Sequence, residues 1–251
     1  MIRKSLLSLI SLYSIQGFCL TLSPIDIEIR EDKPQGYYTL INDANYPKVI
    51  GITAYTRSAD MEGKILLEPT KDLIIYPKQV SLKPKEKRLV RVIWKSKEKL
   101  TTERAYRMIF QEQSVDVDFG EEQLGEGGKR AGVSFGVRFD GSVYIQPVKT
   151  VSPNIEVTSY SRKEIDGEDY LVVMLENTGS KHKIIRTSDL ELELLVKGSK
   201  DQESWHLVSE EILQKAAGGS IMMLAGGKRM IKLPCKAKEI PDNVLGVRII
   251  E

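Results

Sequence analysis

Val133-Ser134-Phe135-Gly136-Val137-Arg138-Phe139-Asp140-Gly141-Ser142-Val143-Tyr144-Ile145 alternates large apolar residues with small or polar ones. A period of two is that of a half-buried β-strand and not of a helix, whose apolar face returns every 3.6 residues. Shorter runs of the same kind lie upstream. Ile25, Ile27 and Ile29 alternate with Asp26, Glu28 and Arg30, and further strands read over 37–41, 49–55, 64–67, 73–76, 89–94 and 106–111. Turn signals separate them: Asp32-Lys33-Pro34, Asn42-Asp43-Ala44-Asn45 and Lys83-Pro84-Lys85. Period-two runs recurring every ~8–15 residues mark an antiparallel sandwich.

A second series follows Val151-Ser152-Pro153-Asn154, with strands over 155–160, 170–175, 183–187, 190–196, 205–208, 221–224, 229–233 and 244–250. Helical periodicity is confined to 209–217, two turns at most. The boundary falls between Pro147 and Pro153. It divides the chain into segments 20–149 and 150–251, each the size of one sandwich domain. The expected fold is all-β, two sandwiches in tandem.

Residues 1–19 read as a secretory signal peptide: a basic head with Arg3 and Lys4, an apolar run from Ser5 to Ile15, and small residues at Gly17 and Cys19. The run is too short to span a bilayer, so export without stable membrane insertion is expected. The 251-residue chain holds 37 basic and 35 acidic residues, and without residues 1–19 its formal charge is zero. That argues against nucleic acid as a partner, because displacing counterions needs a basic excess. With Cys19 gone only Cys235 would remain, a small hydrophobe at a strand end.

Catalytic chemistry is missing. The two histidines, His182 in a charged turn and His206 after Trp205, have no acid–base or metal-ligand spacing around them and read as structural or solvated. No nucleophile elbow or phosphate loop occurs. Asp116, Asp118, Glu121, Glu122 and Glu126 lack the order of a calcium loop and read as a solvated hairpin loop over 116–130. A binding protein is expected, without enzyme activity, metal or cofactor.

Several phrases, in this order, resemble the periplasmic chaperones of pilus assembly, the chaperone half of the chaperone–usher system. They are Leu22–Ile29, Thr39-Leu40-Ile41-Asn42 with Pro47, Leu66–Leu73, Pro77, and Leu82-Lys83-Pro84 leading to Val90-Arg91-Val92. Glu103-Arg104-Ala105-Tyr106-Arg107 follows, then Glu176-Asn177-Thr178-Gly179 with His182, and Leu224–Arg229 running into Leu233-Pro234. The resemblance implies two immunoglobulin-like domains set at an angle around a cleft. It implies a periplasmic location, and as partners pilin subunits and an outer-membrane usher. The chaperone's last N-domain strand would fill the gap in an incomplete pilin sandwich, a form of β-strand addition. Self-association of the free chaperone, which would hide that strand, is left open. The competing reading is a secreted two-domain structural or adhesive module.

Val133, Phe135, Val137 and Phe139 are the implied donor residues. Val143 and Ile145, further along, are expected to fill the chain's own core. The resemblance also implies a basic anchor for the pilin's C-terminal carboxylate. At the matching positions stand Asp26 and Ser142, and Gln146 replaces an arginine before Pro147, which suggests a divergent, archaic-like branch. Arg107 is the proposed substitute, on the assumption that Arg104 lies opposite Gln146, with Arg104 and Arg91 in reserve. A parallel sheet, or a helix longer than about four turns, would exclude the family, because crossover helices have no place in these sandwiches.

Overall fold

The computed structural model describes residues 20–113, 136–197, 202–236 and 240–250. The signal segment 1–19, the acidic loop, Val133 and Phe135 lie outside the described residues.

The N-terminal domain contains β1 (Leu20–Ser23), β2 (Asp26–Arg30), β3 (Gln35–Asn42), β4 (Lys48–Ala59) and β5 (Ile65–Pro69). It continues with β6 (Leu73–Tyr76), β7 (Gln79–Leu82), β8 (Lys87–Trp94), β9 (Arg104–Gln113) and β10 (Arg138–Gln146). One sheet runs β1-β3-β8-β6, and the other β2-β10-β9-β4-β5, with β7 also paired to β4. Pro24, which has no N–H to give a ladder, stands where the chain leaves the first sheet for the second. Leu20 and Leu22 face the core from one sheet, Ile27 and Ile29 from the other. Ile25 lies in the turn between them and is 62% exposed, so the alternation of the first isoleucines extends only to the last two. Between the facing sheets Tyr38, Leu40, Ile50, Val90, Val92, Tyr106, Met108, Phe110, Val143 and Ile145 are wholly buried. One pairing is parallel: β2 lies beside β10. It joins the second and last strands of the domain, with no crossover helix among the described residues.

The C-terminal domain contains β11 (Ile155–Ile165), β12 (Glu168–Asn177), β13 (Lys183–Arg186), β14 (Glu191–Lys197), β15 (Glu203–Leu207), α1 (Glu210–Ala217), β16 (Ser220–Met223), β17 (Lys228–Pro234) and β18 (Val244–Ile250). Its sheets run β11-β12-β17, β13-β16 and β15-β14-β18. They close on a second core that includes Leu171, Val173, Leu175, Leu192, Leu194, Ile231 and Leu233. The eight-residue α1 adds Ile212 and Leu213 to that core.

Each domain is stapled by one buried asparagine at the end of an inner strand. Asn42 Nδ2 donates to the carbonyls of Tyr46, Leu82 and Lys83, and its Oδ1 accepts the Ala44 N–H. Asn177 Nδ2 donates to Lys181, Met223 and Leu224, and its Oδ1 accepts the Gly179 N–H. Both are fully buried, so truncation strands carbonyls that water cannot reach. Asn42→Ala and Asn177→Ala should each cost about 2–4 kcal/mol, confined to the altered domain. Urea unfolding followed by separate probes in the two domains checks this, and equal loss in both would contradict it.

Glu31 ties down the approach to the domain boundary. Its carboxylate accepts the N–H groups of Leu100 (2.8 Å) and Val148 (3.0 Å). These two bonds hold its pKa below the usual carboxylate value. A lowered pKa means the contribution is present above the ordinary glutamate range and is lost as pH falls through the folded value. The protection of the Leu100 and Val148 amides, relative to their intrinsic exchange rates, should therefore fall on acidification, and Glu31→Gln should remove that pH dependence. Unchanged protection at low pH would contradict it.

Candidate functional site

Strand β10 changes character along its length. Val143 and Ile145 point inward and are fully buried, whereas Val137 and Phe139, on the same parity, are half-buried. Phe139 packs against the edge of the N-domain core. The Val137 backbone is bound on one side only: its carbonyl accepts the Glu112 N–H (2.8 Å) and its N–H donates to the Glu112 carboxylate (3.2 Å). Glu112 is itself fixed by the Lys48 ammonium at 2.7 Å, a side chain only 1% exposed. Strand β2 pairs with Ser142–Gln146 alone. Along Arg138–Gly141, the side of β10 away from β9 therefore has no strand partner among the described residues. Residues 138–141 thus present an open ladder edge beside a half-buried apolar row.

Next to that edge, on the outer face of the same sheet, Ser142 is flanked by Asp26 on β2 and Arg107 on β9. The register differs by one residue from the assumed one: Arg104 lies opposite Ile145, which brings Arg107 directly opposite Ser142. Arg107 has no ion-pair partner among the described residues. Arg104 is engaged with Glu98 at 2.6 Å. Arg91 sits on the other sheet, between Tyr37 and Tyr76, and faces solvent there. The structure thus brings Arg107 beside Ser142, leaves Arg104 at the interdomain cavity but paired to Glu98, and places Arg91 on the far sheet.

Arg57 completes the basic group and was not foreseen. On β4 it stands two residues beyond Tyr55, the cross-strand partner of Arg107. Ala105, the partner of Tyr144, is small enough for the guanidinium to reach across it. Nη1 donates to Tyr144 Oη (3.2 Å) and Ser142 Oγ (3.3 Å), and Nη2 touches Met222 Sδ of the C-terminal domain at 2.6 Å. The side chain is buried, its Nε has no partner, and every partner it has is neutral. Burial first, and the like charge of Arg107 next, push its pKa down from the ordinary arginine value. An arginine on a polar-facing strand position carries no sequence mark. Only the cross-strand register beside Ala105 reveals it.

The domains meet around a cavity of about 380 Å³, lined by 56–60, 103–105 and 222–229. On one side the Glu103 carboxylate accepts the His182 ring N–H at 2.7 Å, and the ring stacks on Tyr144 with centroids 3.7 Å apart. His182, read as structural or solvated, is a junction residue. On the other side the Met61 carbonyl accepts the Met230 N–H (2.6 Å) and Glu62 pairs with Lys232 (2.5 Å). Arg229 lies where a Cβ on Gly63 would stand, at a backbone φ of +82° that also favours glycine.

The two-sandwich fold is one seen in solved structures. The chain superposes with a TM-score of 0.55 and 15% identity on the CsuC–CsuE chaperone–tip adhesion subunit pre-assembly complex from the archaic chaperone–usher Csu pili of Acinetobacter baumannii, covering 91% of each chain. It has the fold of the chaperone–usher chaperones. The Salmonella enterica SafA pilin–SafB chaperone complex gives 0.53 at 10% identity, with 88% of this chain and 86% of that one covered. The class 5 fimbriae chaperone CfaA gives 0.52 at 12% identity, covering 84% of each. No protein-family model matches the sequence, and no curated protein sequence does. Among the described residues no group of three His, Cys, Asp or Glu is placed to hold a metal, and no helix is long and apolar enough to cross a membrane.

Proposed function

We propose that this chain is a periplasmic chaperone that binds pilin subunits and passes them to an outer-membrane usher. The observation that carries the reading is the open edge of β10 along Arg138–Gly141, continuous with an apolar row at Val137 and Phe139. A partner strand laid on that edge would gain main-chain hydrogen bonds, while the row Val133, Phe135, Val137 and Phe139 filled its groove. Burying each such side chain is worth about 1.5–3 kcal/mol, enough together to offset the ordering cost of association.

The pilin's C-terminal carboxylate is assigned to Arg107 and Arg57, which flank Ser142 on the cleft face. The buried Arg57 lacks an anion in the free protein, and a carboxylate would supply one by charge-assisted bonds. Coexpression with a pilin encoded beside the gene tests the function. A stable one-to-one complex that protects an otherwise degraded subunit is expected. A pilin that stays equally stable without the chaperone would contradict it.

A further inference from the structure

The Glu103 carboxylate is shut off from solvent, and both polar contacts it makes go to one residue of the other domain. Its Oε1 accepts the backbone N–H (3.2 Å) and the ring Nδ1–H (2.7 Å) of His182. A carboxylate oxygen can only accept, so Nδ1 carries a proton and the ring is held in one orientation. So held, it lies over Tyr144 with an interplanar angle of 10° and centroids 3.7 Å apart. The Tyr144 hydroxyl is one of the three acceptors of Arg57. Tyr144 stands on the outer face of β10 between Glu28 and the small Ala105 and is almost wholly buried. The stack covers its ring from the C-terminal domain.

We infer that His182 is a positioning residue, through which the C-terminal domain fixes Tyr144 and thereby the pose of the Arg57 guanidinium. The arginine then points its unused Nε–H from a fixed place, and the angle between the domains becomes part of the anchor's geometry. Met222, the C-domain residue that touches Arg57 directly, acts in the same direction from β16. The second contact between the domains, at Met61–Met230 and Glu62–Lys232, does not involve His182. Removing the imidazole should therefore release Arg57 without parting the domains. The inference rests on the cleft reading above, but its test is made on the free protein.

The measurement is NMR of the full chain labelled with ¹⁵N-arginine, the Arg57 Nε–H signal being identified by its loss in Arg57→Lys. In His182→Ala that signal should move, and its exchange with water should speed up about fivefold to tenfold, the factor for one ordinary hydrogen bond. The Met230 amide, held by Met61, should keep its parental protection. Glu103→Gln retains an oxygen for the ring N–H and should restore the parental Arg57 signal. If His182→Ala does not fold, Glu103→Ala, which unclamps the ring, carries the same comparison. An Arg57 signal that stays parental would overturn the inference, as would a Met230 amide that loosens as much as Arg57. If Arg57 is released yet a coexpressed pilin is captured as before, the positioning stands and the carboxylate assignment falls.

Discussion

Arg57→Met should leave the free protein at least as stable as the parent and weaken pilin capture by about 2–5 kcal/mol. The two effects have one cause. In the free chain the guanidinium is buried against Ser142, Tyr144 and Met222, with Nε unpartnered and no acid in contact. A buried cation so placed costs desolvation that neutral acceptors repay only in part, and a thioether of similar volume avoids that cost. A pilin carboxylate would compensate it by two parallel charge-assisted bonds that methionine cannot make. Arg57→Lys should fall between, because a lysine is a point charge and has no fork. Urea melts and competition binding against the parent measure both quantities. A variant that loses stability and keeps capture would assign Arg57 to the structure alone.

Val137→Asp is expected to abolish pilin capture while the free protein stays folded. The residue is half-buried at the end of the apolar row, beyond the fully buried Val143 and Ile145. A carboxylate there must be buried unpaired in the pilin groove or force the strand out, and either removes several kcal/mol of binding, on the order of 2–7. Arg138→Asp adds the same carboxylate one residue on, facing the other way, and should bind near the parental level. Phe139 is a poorer site for the test because it packs on the domain's own core. If Val137→Asp unfolds the free protein by itself, Val137 belongs to that core. If both variants bind equally, side-chain parity does not govern the interaction.

What the sequence made legible followed from local periodicity. The strand that carries Val143 and Ile145 and the eight-residue helix are properties of neighbouring residues, and alternation or its absence reports them. Sheet membership is not local. Arg91 and Arg107 both sit on apolar-alternating strands, yet one faces solvent on the far sheet and the other flanks Ser142. Nothing in the spacing of either strand distinguishes them. The one-residue error in register has the same origin, since residues 114–137 separate β9 from β10 along the chain and spacing alone does not set the pairing. Asn42 and Asn177 were visible as phrases, but their equivalence depends on carbonyls contributed about forty residues further on. His182 looked like part of a charged turn because its partners, Glu103 and Tyr144, belong to the other domain.

Lending the edge of β10 to another protein is the claim on which the rest depends, and amide exchange reads it residue by residue. The free protein is to be compared with its complex with a coexpressed pilin along Arg138–Gly141, with the β6 edge at Leu73–Tyr76 as internal reference. Binding should slow exchange at the Arg138 and Asp140 amides, the two of this stretch that point away from β9, by roughly a hundredfold or more and leave 73–76 as it was. A complex in which Arg138–Gly141 exchanges as fast as in the free protein, with the new protection elsewhere, would contradict donation from this strand.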